Sequence, residues 1–201
     1  MTQSNPEKKI FCIGLSRTGT TTFHHLMKDF GLRSTHTAWS LFSNNDVGIF
    51  KKFDAFSDSP IPMMYPKCYE LFPDAYFILT TRDKKKWLDS MKWMFKHGRV
   101  IGKWGPVVDN YHQTFYGTKV YNEKILSEHW DYFHEEVQLF FLNKKKKILT
   151  LDLDNGIDIK QITNFLNIPH KNDVTIKWMN KRRKAGLKER LKYHLRWSPR
   201  F

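Results

Sequence analysis

Cysteine is scarce in this chain, with only Cys12 and Cys68 among 201 residues. Two such residues give no disulfide framework, and a reduced, cytoplasmic setting fits best. Long apolar runs are also missing, because no stretch approaches the roughly 18–20 apolar residues of a membrane span. The opening MTQSNPEKK lacks the apolar centre of a secretory leader, so no leader and no span are expected. There is no internal repeat and no low-complexity linker, which predicts one domain over residues 1–201, large enough to bury a core. Acidic residues are few, 20 against 34 Lys and Arg, leaving a net charge of +14. Residues 171–201 hold eleven Lys and Arg against Asp173 and Glu189, and so carry +9 of that +14. This basic segment reads as a helical C-terminal tail. Its charge suits either a polyanion or a solvated face, and no nucleic-acid-binding motif accompanies it. With 40% apolar and 15% aromatic residues, a disordered chain is excluded.

One further residue is missing where it would be expected. Ile10 to Ile13 form a short apolar run that reads as a buried strand, and Gly14-Leu-Ser-Arg-Thr-Gly19 is a tight turn. Phe23, Leu26, Met27 and Phe30 then recur at the spacing of an amphipathic helix, which Gly31 closes. Strand, glycine turn and helix N-terminus aim backbone N–H groups and the positive end of a helix dipole at one point, which makes an anion site. The nucleoside-triphosphatase form of this loop is G-x-x-x-x-G-K-[ST]. Here Thr20 stands at the lysine position, Thr21 and Thr22 follow, and the cation comes earlier, at Arg17. The loop is therefore expected to hold a phosphate-like group, but not ATP in the usual manner.

Strands and helices alternate along the rest of the chain. Phe53 to Ser57 reads as a short strand ending at Asp58-Ser-Pro, and Tyr65 to Phe72 as a helix stopped by Pro73. Ala75 to Thr81 is the strongest strand signal, continuous and β-branched as in a strand buried on both faces. A helix follows, with Trp87, Leu88, Met91 and Phe95 on one face. Residues 96–118 read as an irregular cap rich in Gly, Trp and Tyr. Residues 120–142 form a long helix with Ile125, Trp130, Phe133, Val137 and Phe140 or Phe141 inward. Lys147 to Leu153 is a strand, and Ile159, Ile162, Phe165 and Leu166 mark a last helix. The alternation predicts a three-layer α/β/α fold on a mostly parallel sheet. Ligands bind beyond the carboxyl ends of such strands. That rule makes Arg17 to Thr22, Asp58 and Thr81-Arg82-Asp83 the candidate site residues.

These segments together resemble the sulfotransferases that use 3'-phosphoadenosine 5'-phosphosulfate (PAPS), and among them the compact bacterial-type members with a G-x-x-R-[ST]-G-T-[ST] loop. Gly14-Leu-Ser-Arg17-Thr-Gly19-Thr-Thr-Thr22 is similar to the family's 5'-phosphosulfate loop. Phe77-Ile-Leu-Thr-Thr-Arg82-Asp, with Ser90 eight residues beyond the arginine, is similar to its 3'-phosphate block. Ile148-Leu-Thr-Leu-Asp and Phe165-Leu-Asn-Ile-Pro169 resemble its late strand and "FL-x-x-P" element. The resemblance spans about residues 8–170. It implies a P-loop NTPase-like sulfotransferase fold. It also implies transfer of a sulfuryl group from PAPS to a hydroxyl or amine acceptor, with release of 3',5'-ADP and no metal. By the same pattern Arg17, Thr18, Gly19, Thr20, Thr21 and Thr22 would bind the 5' end, and Arg82 and Ser90 the 3'-phosphate. A planar, permanently charged guanidinium suits a phosphate.

A general base should take the acceptor's proton. The resemblance places it at Asp58, where many cytosolic relatives carry a His in a T-H-x-P segment. Asp58 can serve if burial raises its pKa, and otherwise it caps a turn before Ser59-Pro60. His36 is the second candidate. His129 and His134, five apart, do not share a helical face and make no metal pair. Recognition of a small-molecule or carbohydrate acceptor would fall to residues 93–121, where Trp93, Phe95, Trp104, Tyr111, Phe115 and Tyr116 line a pocket or pack the cap. Arg182-Arg-Lys-Ala-Gly186 matches the family's late basic segment only loosely. Two other readings remain. A P-loop kinase would need the absent lysine and an acid such as Asp152 or Asp154. A non-catalytic protein would keep the nucleotide site and bind polyanions through its tail.

Overall fold

The computed structural model describes residues 8–97, 104–144, 148–170 and 173–176. The basic tail, including Arg182 to Gly186, lies almost wholly outside the described residues. The sheet has five strands: β1 (Ile10–Cys12), β2 (Ser34–His36), β3 (Ala55–Ser57), β4 (Tyr76–Thr81) and β5 (Ile148–Asp152). They are hydrogen-bonded in the order β2-β3-β1-β4-β5, and every pair is parallel. The first helix, α1, is Thr20–Asp29. It is followed by α2 (Trp39–Asn44), a 3-10 turn at Val47–Lys51, α3 (Ile61–Leu71), α4 (Lys84–His97), α5 (Pro106–Tyr116), α6 (Glu123–Phe141) and α7 (Ile159–Leu166).

Alternation along the strands divides the core. Phe11 lies opposite Phe56 and Phe77 in the two registers it shares. Its ring stands 5.4 Å from the first and 5.5 Å from the second. These rings meet Phe50 and Phe72 on one face, where Tyr65 and Tyr69 of α3 reach Phe140 and Phe141 of α6. Ile10, Cys12, Ala55 and Ile78 point to the other face and pack with Phe23, Leu26 and Met27 of α1 and Ile162 and Leu166 of α7. A strand covered on both sides must be apolar throughout, which is why AYFILTT is so continuous.

The chain divides into two compact units. The first takes in the described residues up to Asp83 and from His134 onward, and holds the sheet. The second is Lys84–Phe133. In it Trp87 and Trp130 are buried with ring centroids 4.7 Å apart, and Tyr111 and Tyr116 are buried in the same unit.

Four points differ from what the sequence leads one to expect. Residues 96–118 are not irregular throughout, because Pro106–Tyr116 is helical. Pro106 stands in its first turn and Gly117 ends it at φ 76°, the arrangement in which Pro and Gly bound a helix. Helix α3 begins at Ile61, four residues before the expected Tyr65, and keeps Pro66 inside it. Burying Ile61, Pro62, Tyr65 and Cys68 on one face outweighs the missing N–H. Strand β2 and helix α2 were not anticipated, since STH is short and polar. In the long helix α6 the inward residue near the start is Leu126 rather than Ile125.

Candidate functional site

The central strand β1 has β3 on one side and β4 on the other, so the loops after β1, β3 and β4 emerge together at one edge. The chain bends sharply at that edge. Arg17, Thr37 and Asp58 follow β1, β2 and β3, and all three are left-handed, at φ 74°, 69° and 63°. Such non-glycine conformations cost about 1–3 kcal/mol each and gather at functional sites.

Two glycines shape the loop after β1. A Cβ on Gly14 would lie 2.0 Å from Thr80 Oγ1 and 2.4 Å from the Thr80 carbonyl, so only hydrogen fits between β1 and β4 there. Gly19, at φ 95°, caps α1, and a Cβ on it would meet Leu153 at 2.6 Å. Thr18 closes the loop from within. Its amide and its hydroxyl both donate to the Leu15 carbonyl, at 3.1 and 2.6 Å. The hydroxyl also meets Thr80 Oγ1 at 2.9 Å, and Thr18 is fully buried. These polar groups hold the loop shape. Thr20, Thr21 and Thr22 form the first turn of α1, where helix amides face outward.

Asp58 is the hub of a polar network. Ser16 Oγ donates to its Oδ1 at 2.6 Å and Thr20 Oγ1 to its Oδ2 at 2.8 Å. The Ser59 amide donates to Oδ1 at 2.8 Å, and His36 Nε2 lies 3.1 Å from Oδ2. Burial alone would raise this carboxyl, yet His36, Ser16 and Thr20 together hold it far below the usual carboxylate range. The condition on which Asp58 was to act as base, a raised pKa, is therefore not met. His36 Nε2 also meets Thr21 Oγ1 at 3.0 Å. Around it, His24 Nδ1 is 2.9 Å from Ser34 Oγ. Burial first, then His36, His25 and Lys28, lower the His24 ring to about 4.

Arg82 follows β4. One of its Nη groups donates to the Arg17 carbonyl at 3.4 Å, which brings the two arginines of the sequence pattern together. Its Nε is buried and has no hydrogen-bond partner among the described residues. His134, weighed from the sequence only as half of a metal pair, has its Nε2 3.1 Å from Thr81 Oγ1 beside Arg82. No local pattern marks this pairing, because 53 positions separate the two residues. Ser90 is buried in α4, in the second unit. Of the expected pocket aromatics, Phe95, Tyr111 and Tyr116 are buried in that unit's own packing, and Trp93, Trp104 and Phe115 are half-buried.

The acids of the kinase reading are committed elsewhere. Asp152 accepts from the Asp154 amide and from Asn155, and Asp154 accepts from the Asp83 amide. Among the described residues no group of three or more His, Cys, Asp or Glu is placed to hold a metal ion. Among them, too, no helix is long and apolar enough to cross a membrane. Cys12 and Cys68 are both buried, and burial pushes each thiol up to about 12.

A parallel α/β sheet with a glycine turn leading into a helix after its first strand, and an arginine after the neighbouring strand, defines a P-loop-like fold class. Residues 47–185 match the family model of the sulfotransferase domain, and the chain belongs to that family. The match takes in Asp58, Arg82 and Ser90 and begins beyond the loop after β1. The chain is also similar to the "Ava biosynthesis cluster protein M" of Aspergillus versicolor, 26% identical over 42% of this chain and 42% of that protein. The chain thus spans under half the length of this curated relative. Family membership supports an activity of the sulfotransferase type in general terms.

Proposed function

We propose that this protein moves a sulfuryl group from PAPS to a hydroxyl or amine acceptor and releases 3',5'-ADP. The observation that carries the reading is Arg82. A buried guanidinium Nε without a partner, next to the Arg17 carbonyl, suits an anion better than a packed core. Unmet buried donors are costly, by about 1–3 kcal/mol. The residues present fit the donor substrate. Arg17 and the first-turn amides of α1 would receive the 5'-phosphosulfate, and Arg82 the 3'-phosphate. Arg17 would stabilise the charge that grows on the leaving phosphate as the S–O bond breaks. The transferred SO3 group carries less charge than a phosphoryl group, so the loop needs no Walker lysine and less neutralisation by a cation. The role of Ser90 rests on the family pattern.

Calorimetry tests the reading. 3',5'-ADP should bind without Mg2+, ATP should bind poorly, and Arg82→Ala should weaken 3',5'-ADP far more than 5'-AMP. Tight Mg-ATP binding with no response to 3',5'-ADP would sink it. A chain that binds 3',5'-ADP yet transfers sulfate to no member of an acceptor screen with labelled PAPS would favour a non-catalytic nucleotide-binding protein. The small-molecule or carbohydrate nature of the acceptor comes from the family resemblance, and that screen would identify it.

A further inference from the structure

The network around Asp58 divides two tasks between two residues, and the division rests on the sulfuryl-transfer reading above. Asp58 is saturated: Ser16 and the Ser59 amide fill one oxygen, Thr20 and His36 the other. A carboxylate offers about four acceptor sites, so Asp58 has no room for an acceptor hydroxyl. His36 differs. All of its polar contacts are at Nε2, with Asp58, Thr21 and Thr20 at 3.1, 3.0 and 3.4 Å. Its Nδ1 has no protein partner among the described residues, and its side chain is 24% exposed. An ionised Asp58 requires hydrogen on the nitrogen facing it. The neutral ring is thereby fixed with its lone pair on Nδ1.

We propose that His36 Nδ1 is the general base of this site and that Asp58 is a positioning residue, which holds the ring in that tautomer and pairs with the imidazolium once it forms. As the acceptor oxygen attacks sulfur, its proton passes to Nδ1, the S–O bond to the leaving phosphate breaks, and that phosphate takes the bonding electron pair. The imidazolium later returns the proton to water. The logic is that of an Asp–His pair in acyl transfer, with Asp58 on the loop after β3 and His36 at the end of β2. The other groups facing His36 are Thr20, Thr21 and the His24 ring, all from α1, the last at a centroid distance of 5.8 Å. His24 is held down near 4 and stays neutral from pH 5 to 8.

The first arm of the test needs no acceptor. Binding of 3',5'-ADP is followed by calorimetry from pH 5 to 8 in buffers of different ionisation heat, which counts protons taken up. An anion bound beside an imidazole favours its charged form, so the wild-type chain should take up a fraction of a proton. His36→Gln should abolish the uptake, and Asp58→Asn should move it to lower pH. His24→Gln should leave it unchanged, and all three should still bind the nucleotide. In the second arm, PAPS turnover with water or the screened acceptor should fall on the order of 10²–10⁴-fold in His36→Gln. That variant should also lose the acid limb of the pH profile. In Asp58→Asn the limb should move to lower pH with KM for PAPS little changed. Uptake that survives His36→Gln, or an acid limb lost only in Asp58→Asn, overturns the assignment. Loss of 3',5'-ADP binding in the wild type instead refutes the PAPS reading itself. If neither acceptor turns over, proton uptake decides.

Discussion

Asp58 shows how a single carboxyl can be both buried and strongly acidic. Burial works against the charge, and the donors from His36, Ser16 and Thr20 more than offset it. The sign of the consequence is fixed. A carboxyl whose folded pKa lies below its unfolded value contributes stability above that unfolded value, about 3.9. It loses the contribution as pH falls through the folded value. Asp58→Asn should therefore cost about 1.5–3 kcal/mol at pH 7, the range for hydrogen bonds to a charged group, and the cost should shrink steadily below about pH 4 and vanish only as pH reaches the folded value. Urea melts at pH 7 and at about pH 2 measure the difference. An equal penalty at both would mean that shape, not charge, holds the network. Gly14 makes a second case, in which one hydrogen atom sets the geometry. Gly14→Ala drives a methyl into the backbone carbonyl of Thr80, and overpacking of this kind costs about 1–3 kcal/mol. A lowered melting temperature together with weaker 3',5'-ADP binding is expected. A variant as stable as wild type would show that β1 and β4 can part without harm.

The elements differ in how plainly the chain announces them. Strand β4 and helices α1 and α6 carry long, one-sided or continuous apolar patterns, and each lies where the pattern puts it. Helix α5 was missed because two of its three buried residues are Tyr and one is His, so no aliphatic stripe marks it. Its boundaries were nevertheless written in Gly105-Pro106 and Gly117. Strand β2 was missed because three residues, STH, carry no period, and the parallel pairing of Thr35 with Phe56 that orders them lies far away in sequence. The site divides in the same way. Arg17 and Arg82 belong to local motifs and were legible. The contacts of Asp58 with Ser16, Thr20 and His36 span 42, 38 and 22 positions, and only the fold closes them. In the second unit the tilted pair of Trp87 and Trp130 rings joins α4 to α6. Trp87→Ala should cost about 3–5 kcal/mol. Hydrogen exchange should show faster opening in α4 and the first half of α6, with the amides of β1 and β4 little changed. Equal loss of protection in both units would show that they unfold as one.

Charge acts on the whole molecule in two ways that a kinetic experiment can separate. The +14 of the chain, most of it in residues 171–201, is a diffuse field. Such a field raises the rate at which anions arrive and is screened over about 8 Å at physiological salt. On the proposed reading Arg17 and Arg82 are instead local contacts, and Arg82 is held by its bond to the Arg17 carbonyl beside the loop after β1. Diffuse charge acts on association, and a desolvated contact acts on dissociation. Raising the salt from about 0.05 to 0.5 M should therefore slow association of 3',5'-ADP more than it speeds dissociation. Arg82→Ala should do the reverse, with dissociation faster by about tenfold or more, the equivalent of roughly 1.4 kcal/mol, and association nearly intact. Stopped-flow binding at both salts measures all four rates. If Arg82→Ala slowed association and left dissociation alone, Arg82 would be one more charge of the field and not the residue that grips the 3'-phosphate. The buried, unpartnered Nε of Arg82 argues for the grip, because a nitrogen withdrawn from water contributes little to steering at a distance and much to a bond made on arrival.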